Sequence, residues 1–126
     1  MLVLLGGAVM HRFRELYVYQ RSLQLTKTVR QVTRNFPKDE QFVLRAQFRR
    51  ATDSIPLNIA EGAGNKSKKE FIRFLIYSIR SGYECIGCID IAFTNNYIDE
   101  LQYEKLDKEI HEIIAMLVGL MQSLSN

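Results

Sequence analysis

Between Val18 and Phe36, apolar or small residues recur in alternating steps of four and three: Val18, Ser22, Leu25, Val29, Val32 and Phe36. That spacing is the buried seam of a helix in a left-handed bundle, and it predicts a first helix over 11–35. Pro37 holds Phe36 out of the α region, so FPKDE reads as a tight link with Asp39 placed to cap the next helix. A second helix is expected over 38–61, with Leu44, Phe48, Ala51, Ile55 and Ile59 on one stripe. Pro56 removes a backbone donor and crowds the carbonyl of Thr52, so this helix should kink or divide there.

The loop GAGNKS comes next, in which Gly62 and Gly64 are expected to take positive φ at a helix C-terminus. Ser67 and Glu70 form a capping box that opens a third helix with the seam Phe71, Leu75, Ser78, Gly82, Cys85, Ile89 and Ala92. Its central residues are small, so a neighbouring helix can come close, with Pro56 and Ile59 as facing residues. Asn95 and Asn96 should end it. A fourth helix starts near Asp99, at a second capping box, and carries Tyr103, Leu106, Ile110, Ile113, Leu117, Leu120 and Leu124. Short links between four such helices predict an all-α, antiparallel up-down-up-down four-helix bundle over 11–126. The opening MLVLLGGAVM lacks a basic start and is too short to span a membrane, so residues 1–10 are read as an extension, with Met10 a candidate start.

A polar row flanks the core stripe of the second helix: Gln47, Arg50, Ser54, Asn58 and Glu61. Its residues are short or forked hydrogen-bonding groups without a lysine. The reading adopted is a partly buried polar network in which Arg50 and Glu61 neutralise charge; a solvated face is the alternative. The first helix bears a second apolar patch, Leu16, Tyr19 and Leu23, away from its seam. It either tucks under the N-terminal segment or contacts another subunit, and the subunit contact is the expectation.

Net charge is +3, but it is unevenly spread: residues 11–50 hold ten basic against three acidic residues, and residues 81–126 hold two against eight. The two halves pair their charges within one bundle, or they make a head-to-tail electrostatic contact, or a basic surface is left for an anionic partner. Candidate phosphate contacts are Arg14, Arg21, Lys27, Arg30, Arg34, Arg45, Arg49, Lys66, Lys68 and Lys69. No base-reading motif is present and exposed aromatics should be few, so binding would be driven by charge or shape.

Chemistry is harder to find. The glycine-rich loop lacks the spacing and preceding strand of a nucleotide-binding P-loop. Cys85 and Cys88 form a CxxC within an apolar helical pattern and have no second ligand pair, so they read as small core residues in a reduced, cytoplasmic chain. Asp53 and Glu61 share a helix but not a face, and His11 and His111 stand alone. No catalytic residue, metal site or cofactor is expected.

Three stretches carry a family resemblance: Phe36, Pro37 and Glu40; the run Gln47, Arg50, Ala51, Ser54, Ile55, Asn58, Ile59, Ala60, Glu61 and Gly62; and FIRFL at 71–75 with Ser81 and Glu84. Over about residues 13–124 the chain resembles the bacterial four-helix-bundle proteins encoded in intervening sequences of 23S rRNA genes. Arg80 stands where that family usually has glycine. The resemblance implies a homopentamer of antiparallel bundles without established enzymatic activity. It also implies likeness to the accessory proteins of diversity-generating retroelements, basic pentamers that bind a reverse transcriptase and nucleic acid. A homo-oligomer with RNA, DNA or such a protein as partner is therefore expected, and no membrane partner.

Overall fold

The computed structural model describes residues 12–125, so the expected extension over 1–10 and His11 lie outside the described residues. The described chain is all-helical: α1 (Tyr17–Thr33), α2 (Leu44–Ala63), α3 (Lys68–Thr94) and α4 (Glu100–Ser125), with short 3-10 turns at Phe13–Glu15 and Lys38–Glu40. Each helix packs against its sequence neighbours, and α1 closes against α4. The predicted seams are the core. Every residue named for α3 is buried, as are those of α2, and all those of α4 except the half-buried Tyr103.

The helix ends obey local chemistry, with one exception. Ser67 Oγ accepts from the Glu70 amide at 3.3 Å. Asp99 and Gln102 cap each other, side chain to amide in both directions, at 2.7 and 2.9 Å. Asn96 stops α3 in the left-handed region at φ 62°, and Tyr97 N donates back to the Ala92 carbonyl at 2.8 Å. The exception is the start of α2. Asp39 caps nothing; residues 38–40 form a 3-10 turn after Pro37, and α2 begins at Leu44 behind Val43 with no side-chain cap. Glu40 is drawn elsewhere, accepting from Tyr97 Oη at 2.7 Å while Phe36 packs against the Tyr97 ring.

α2 runs unbroken through Pro56, so the proline does not divide it. Beside the proline, buried Ser78 Oγ of α3 donates to the Ile55 carbonyl at 2.9 Å. Thr52 Oγ lies 3.5 Å from Cys85 Sγ, and Ser54 and Ser81 join hydroxyl to hydroxyl. Both cysteines are buried free thiols, and burial pushes Cys85 up to about 12 and Cys88 up to about 11, so neither is a thiolate near neutral pH.

The glycines act through space rather than through φ. Gly62 lies inside α2, and Gly64 has an ordinary helical φ of −74°. A Cβ on Gly62 would sit 2.7 Å from Phe74 Cβ and 3.0 Å from Phe71 Cδ1, so this glycine is what lets α2 meet α3. Gly82 serves α4 instead: its Cβ would meet Ile114 Cγ1 at 2.7 Å. Arg80 is exposed, so its departure from the family's glycine leaves helix packing untouched.

These contacts set up a paired test by denaturant unfolding. Gly62→Ala should lose about 1–3 kcal/mol, since Phe74 Cβ cannot rotate away. Gly64→Ala, whose new methyl would meet nothing nearer than 3.5 Å, should gain ~0.4–1 kcal/mol by restricting the unfolded chain.

Candidate nucleic-acid interface

The ten candidate cations do not form one surface. Arg21 is taken up within the molecule: Nε and Nη2 donate to Glu109 at 2.8 and 2.6 Å, and Nη2 also donates to Glu112 at 2.7 Å. These bonds raise the Arg21 pKa and hold the Glu112 carboxyl below its usual range. Here the basic α1 and acidic α4 do neutralise each other, and Arg21 is not free to meet a phosphate. Arg14 is exposed, with its guanidinium 5.2 Å from the Phe13 ring centre. Lys66 in the α2–α3 link and Lys68 and Lys69 at the start of α3 are exposed. Since α2 rises ~1.5 Å per residue, they stand roughly a helix length, ~30 Å, from its other end.

The remaining five converge. Along α1, Lys27, Arg30 and Arg34 fall in steps of three and four; along α2, Arg45 and Arg49 are a turn apart. Arg30 binds Asp53 through two parallel hydrogen bonds of 2.8 Å each, which ties α1 to α2 and raises the Arg30 pKa. Arg49 Nε donates to Thr33 Oγ1 at 2.9 Å, and Nη2 donates to the Arg30 carbonyl at 3.2 Å. Burial pushes the Arg49 pKa down, and the nearby charges of Arg45, Arg30 and Arg34 push it further. Arg45 is half-buried, and its Nε is sealed from solvent without a hydrogen-bond partner. Among the described residues, Lys27 and Arg34 form no ion pair. Asp53 is the one carboxylate whose attraction acts on Arg49 against these repulsions.

The predicted polar row is only partly a network. Asn58 Nδ2 donates to the Ser54 carbonyl at 2.8 Å, Ser54 meets Ser81, and exposed Gln47 reaches Glu84 at 3.4 Å. Arg50 and Glu61 are exposed and have no salt bridge among the described residues. They lie on the outer edge of the row, where water already solvates their charges, so the expected neutralising pair is absent.

The apolar patch also comes apart. The chain leaves helical geometry at Leu16 (ψ 126°), so Leu16 turns into the core. Tyr19 is covered edge-to-face by Phe13 at 5.1 Å, and only Leu23 stays exposed. Leu16 is taken up by the core and Tyr19 is half-buried against Phe13, which leaves Leu23 as the exposed member of the three.

Two features escaped the sequence reading. Exposed aromatics are more numerous than expected: Phe42 is 85% exposed, Tyr17 62% and Tyr83 59%. On α3, Arg73 stacks over Phe74 and Tyr77, with Arg80 beyond Tyr77, while Glu70 grips Arg73. The spacing Arg73–Phe74–Tyr77–Arg80 is the signal that could have revealed this ladder.

Four helices around one apolar core, with Lys27, Arg30, Arg34, Arg45 and Arg49 along the first two, define an α-helical bundle protein. The family model for the 23S rRNA-intervening sequence protein matches residues 14–119, and the chain belongs to that family. A crystal structure of a protein with unknown function from the S23 ribosomal protein family, from Bacteroides thetaiotaomicron VPI-5482, has the same fold. Its TM-score is 0.76 at 24% identity, covering 83% of this chain and 95% of that one. No curated protein matches the chain. Among the described residues, no helix is long and apolar enough to cross a membrane.

The Arg21 clamp has a pH signature. Glu112, lowered by Arg21, contributes stability that is complete above the ordinary carboxylate value of 4.5 and is lost as pH falls through its lowered value. Arg21→Gln should lower stability near neutrality and flatten the melting-temperature profile below pH 4.5. A variant profile as steep as the parent's would place the acid sensitivity elsewhere.

Proposed function

We propose that this chain is a non-enzymatic, cytoplasmic bundle protein that assembles with copies of itself and docks on RNA or DNA through its basic α1–α2 seam. The carrying observation is that Lys27, Arg34 and Arg45 gather at that seam with no carboxylate partner among the described residues. Lys27 and Arg34 are exposed, so their charges face solvent and give that side of the bundle a positive potential that an anion can meet. Self-assembly, with five copies as the number the resemblance implies, is supported by Ile76, Tyr83 and Ile91, exposed on one side of α3. Assembly would repeat each seam around a ring, so individually weak phosphate contacts add up.

A second reading keeps the oligomer and drops the nucleic acid: α3 and the basic seam join subunits or hold a protein partner such as a reverse transcriptase. The Arg21–Glu109–Glu112 clamp favours it, because it shows basic and acidic helices of this chain matching each other.

Light-scattering mass with a short structured RNA across a salt series separates the two. On the first reading, an oligomeric particle gains RNA mass at low salt and loses it as salt rises. Lys27→Glu with Arg34→Glu should abolish the RNA gain while leaving particle mass unchanged. Loss of assembly in that variant, or no RNA uptake by the parent at any salt, supports the second reading.

A further inference from the structure

The α1–α2 seam is a groove of about 570 Å³, and its two ends differ. Arg34 lines one end, with Arg49 and Arg45 of α2 outside the lining but close enough for their charges to interact. At the other, Leu23, Pro56 and Leu57 form an apolar floor, with Leu57 65% and Leu23 43% exposed. Lys27 stands beside that floor, and the Arg30–Asp53 pair fixes the middle.

The groove's size falls within the ~300–1,000 Å³ of small-ligand clefts. An acidic side-chain cluster would satisfy the cations and leave the leucines in water. A duplex keeps its bases stacked inside and offers only phosphates. An unpaired nucleotide matches both ends, with an apolar base face for the floor and anionic linkages for the cations. Lys27 and Arg34 are seven residues apart, ~10 Å along α1, a span that long side chains can close onto the two phosphates flanking one nucleotide.

Building on the nucleic-acid reading, we infer that the groove is a single-strand site that seats one unpaired nucleotide. Its base lies on Leu23, Pro56 and Leu57, and its flanking phosphates meet Lys27 and Arg34.

Fluorescence anisotropy tests this with three probes of equal phosphate count: an oligouridine, its abasic counterpart and an RNA duplex. The parent should bind oligouridine roughly tenfold tighter than the abasic strand or the duplex. Leu57→Ser, and separately Leu23→Ser, should erase that preference while abasic affinity and the salt slope stay as in the parent. Both leucines are exposed, so both variants should fold. Lys27→Gln with Arg34→Gln should instead reduce the salt slope for all probes. Equal binding of the three probes, unchanged in the leucine variants, would overturn the single-strand site while leaving nucleic-acid binding intact. Displacement of oligouridine by polyglutamate as readily as by unlabelled oligouridine would also overturn it, in favour of an acidic segment. No binding of any probe at low salt would defeat this inference and the broader reading together.

Discussion

The close approach of α2 to α3 is the constraint on which the rest depends. Gly62 admits the Phe74 side of α3 at a distance no methyl could share. From there the contact runs on through Ser78 on the Ile55 carbonyl, Ser54 on Ser81 and Thr52 beside Cys85. Small and hydroxyl-bearing residues occupy the places where large apolar ones would push the helices apart. With these two helices fixed, their outer flanks are fixed too: α1 lies along Asp53 and Arg49, and α4 lies against Gly82.

Charge is then sorted by position. Where α1 meets α4, opposite signs are close and partly shielded from water, so Arg21 and its two glutamates satisfy each other. Where α1 meets α2, both helices carry arginine, and Asp53 forms its ion pair with Arg30 while only partly offsetting the repulsion on Arg49. The helix pairing that cancels charge on one side of α1 therefore concentrates it on the other. That concentration comes from the arrangement of helices rather than from the modest net charge.

Core periodicity was legible because it is a local property: each seam repeats every few residues whatever the helix packs against. Capping boxes were legible for the same reason, as at Ser67 and Asp99. What stayed hidden needed knowledge of the neighbour. Gly62 looked like a turn glycine because only Phe74, on another helix, reveals its purpose. Arg21 looked available because its partners lie some ninety positions away. Leu16 looked like a surface residue because the break in helical geometry before α1 rotates it inward. Asp39 looked like a cap because nothing local marks Glu40's bond to Tyr97 as the competing pull on that link. Of the candidate interface, the cations were readable one by one. Their convergence with Leu57 across the α1–α2 seam was not.

The buried hydroxyls differ in what they secure. Ser22, Thr33 and Thr52 each return a hydrogen bond to a carbonyl of their own helix, at 2.7, 2.7 and 2.8 Å, although Thr33 also accepts from Arg49 of α2 and Thr52 lies against Cys85 of α3. Ser78 alone among the four gives its hydrogen to a different helix. Sliding α3 by one turn would leave that hydroxyl dry and unsatisfied, whereas α1 could shift without orphaning Ser22. A buried hydroxyl thus sets the register of α3 on α2, whereas the register of α1 rests on long, more exposed side chains, Arg30 on Asp53, Arg49 on Thr33 and Arg21 on its two glutamates.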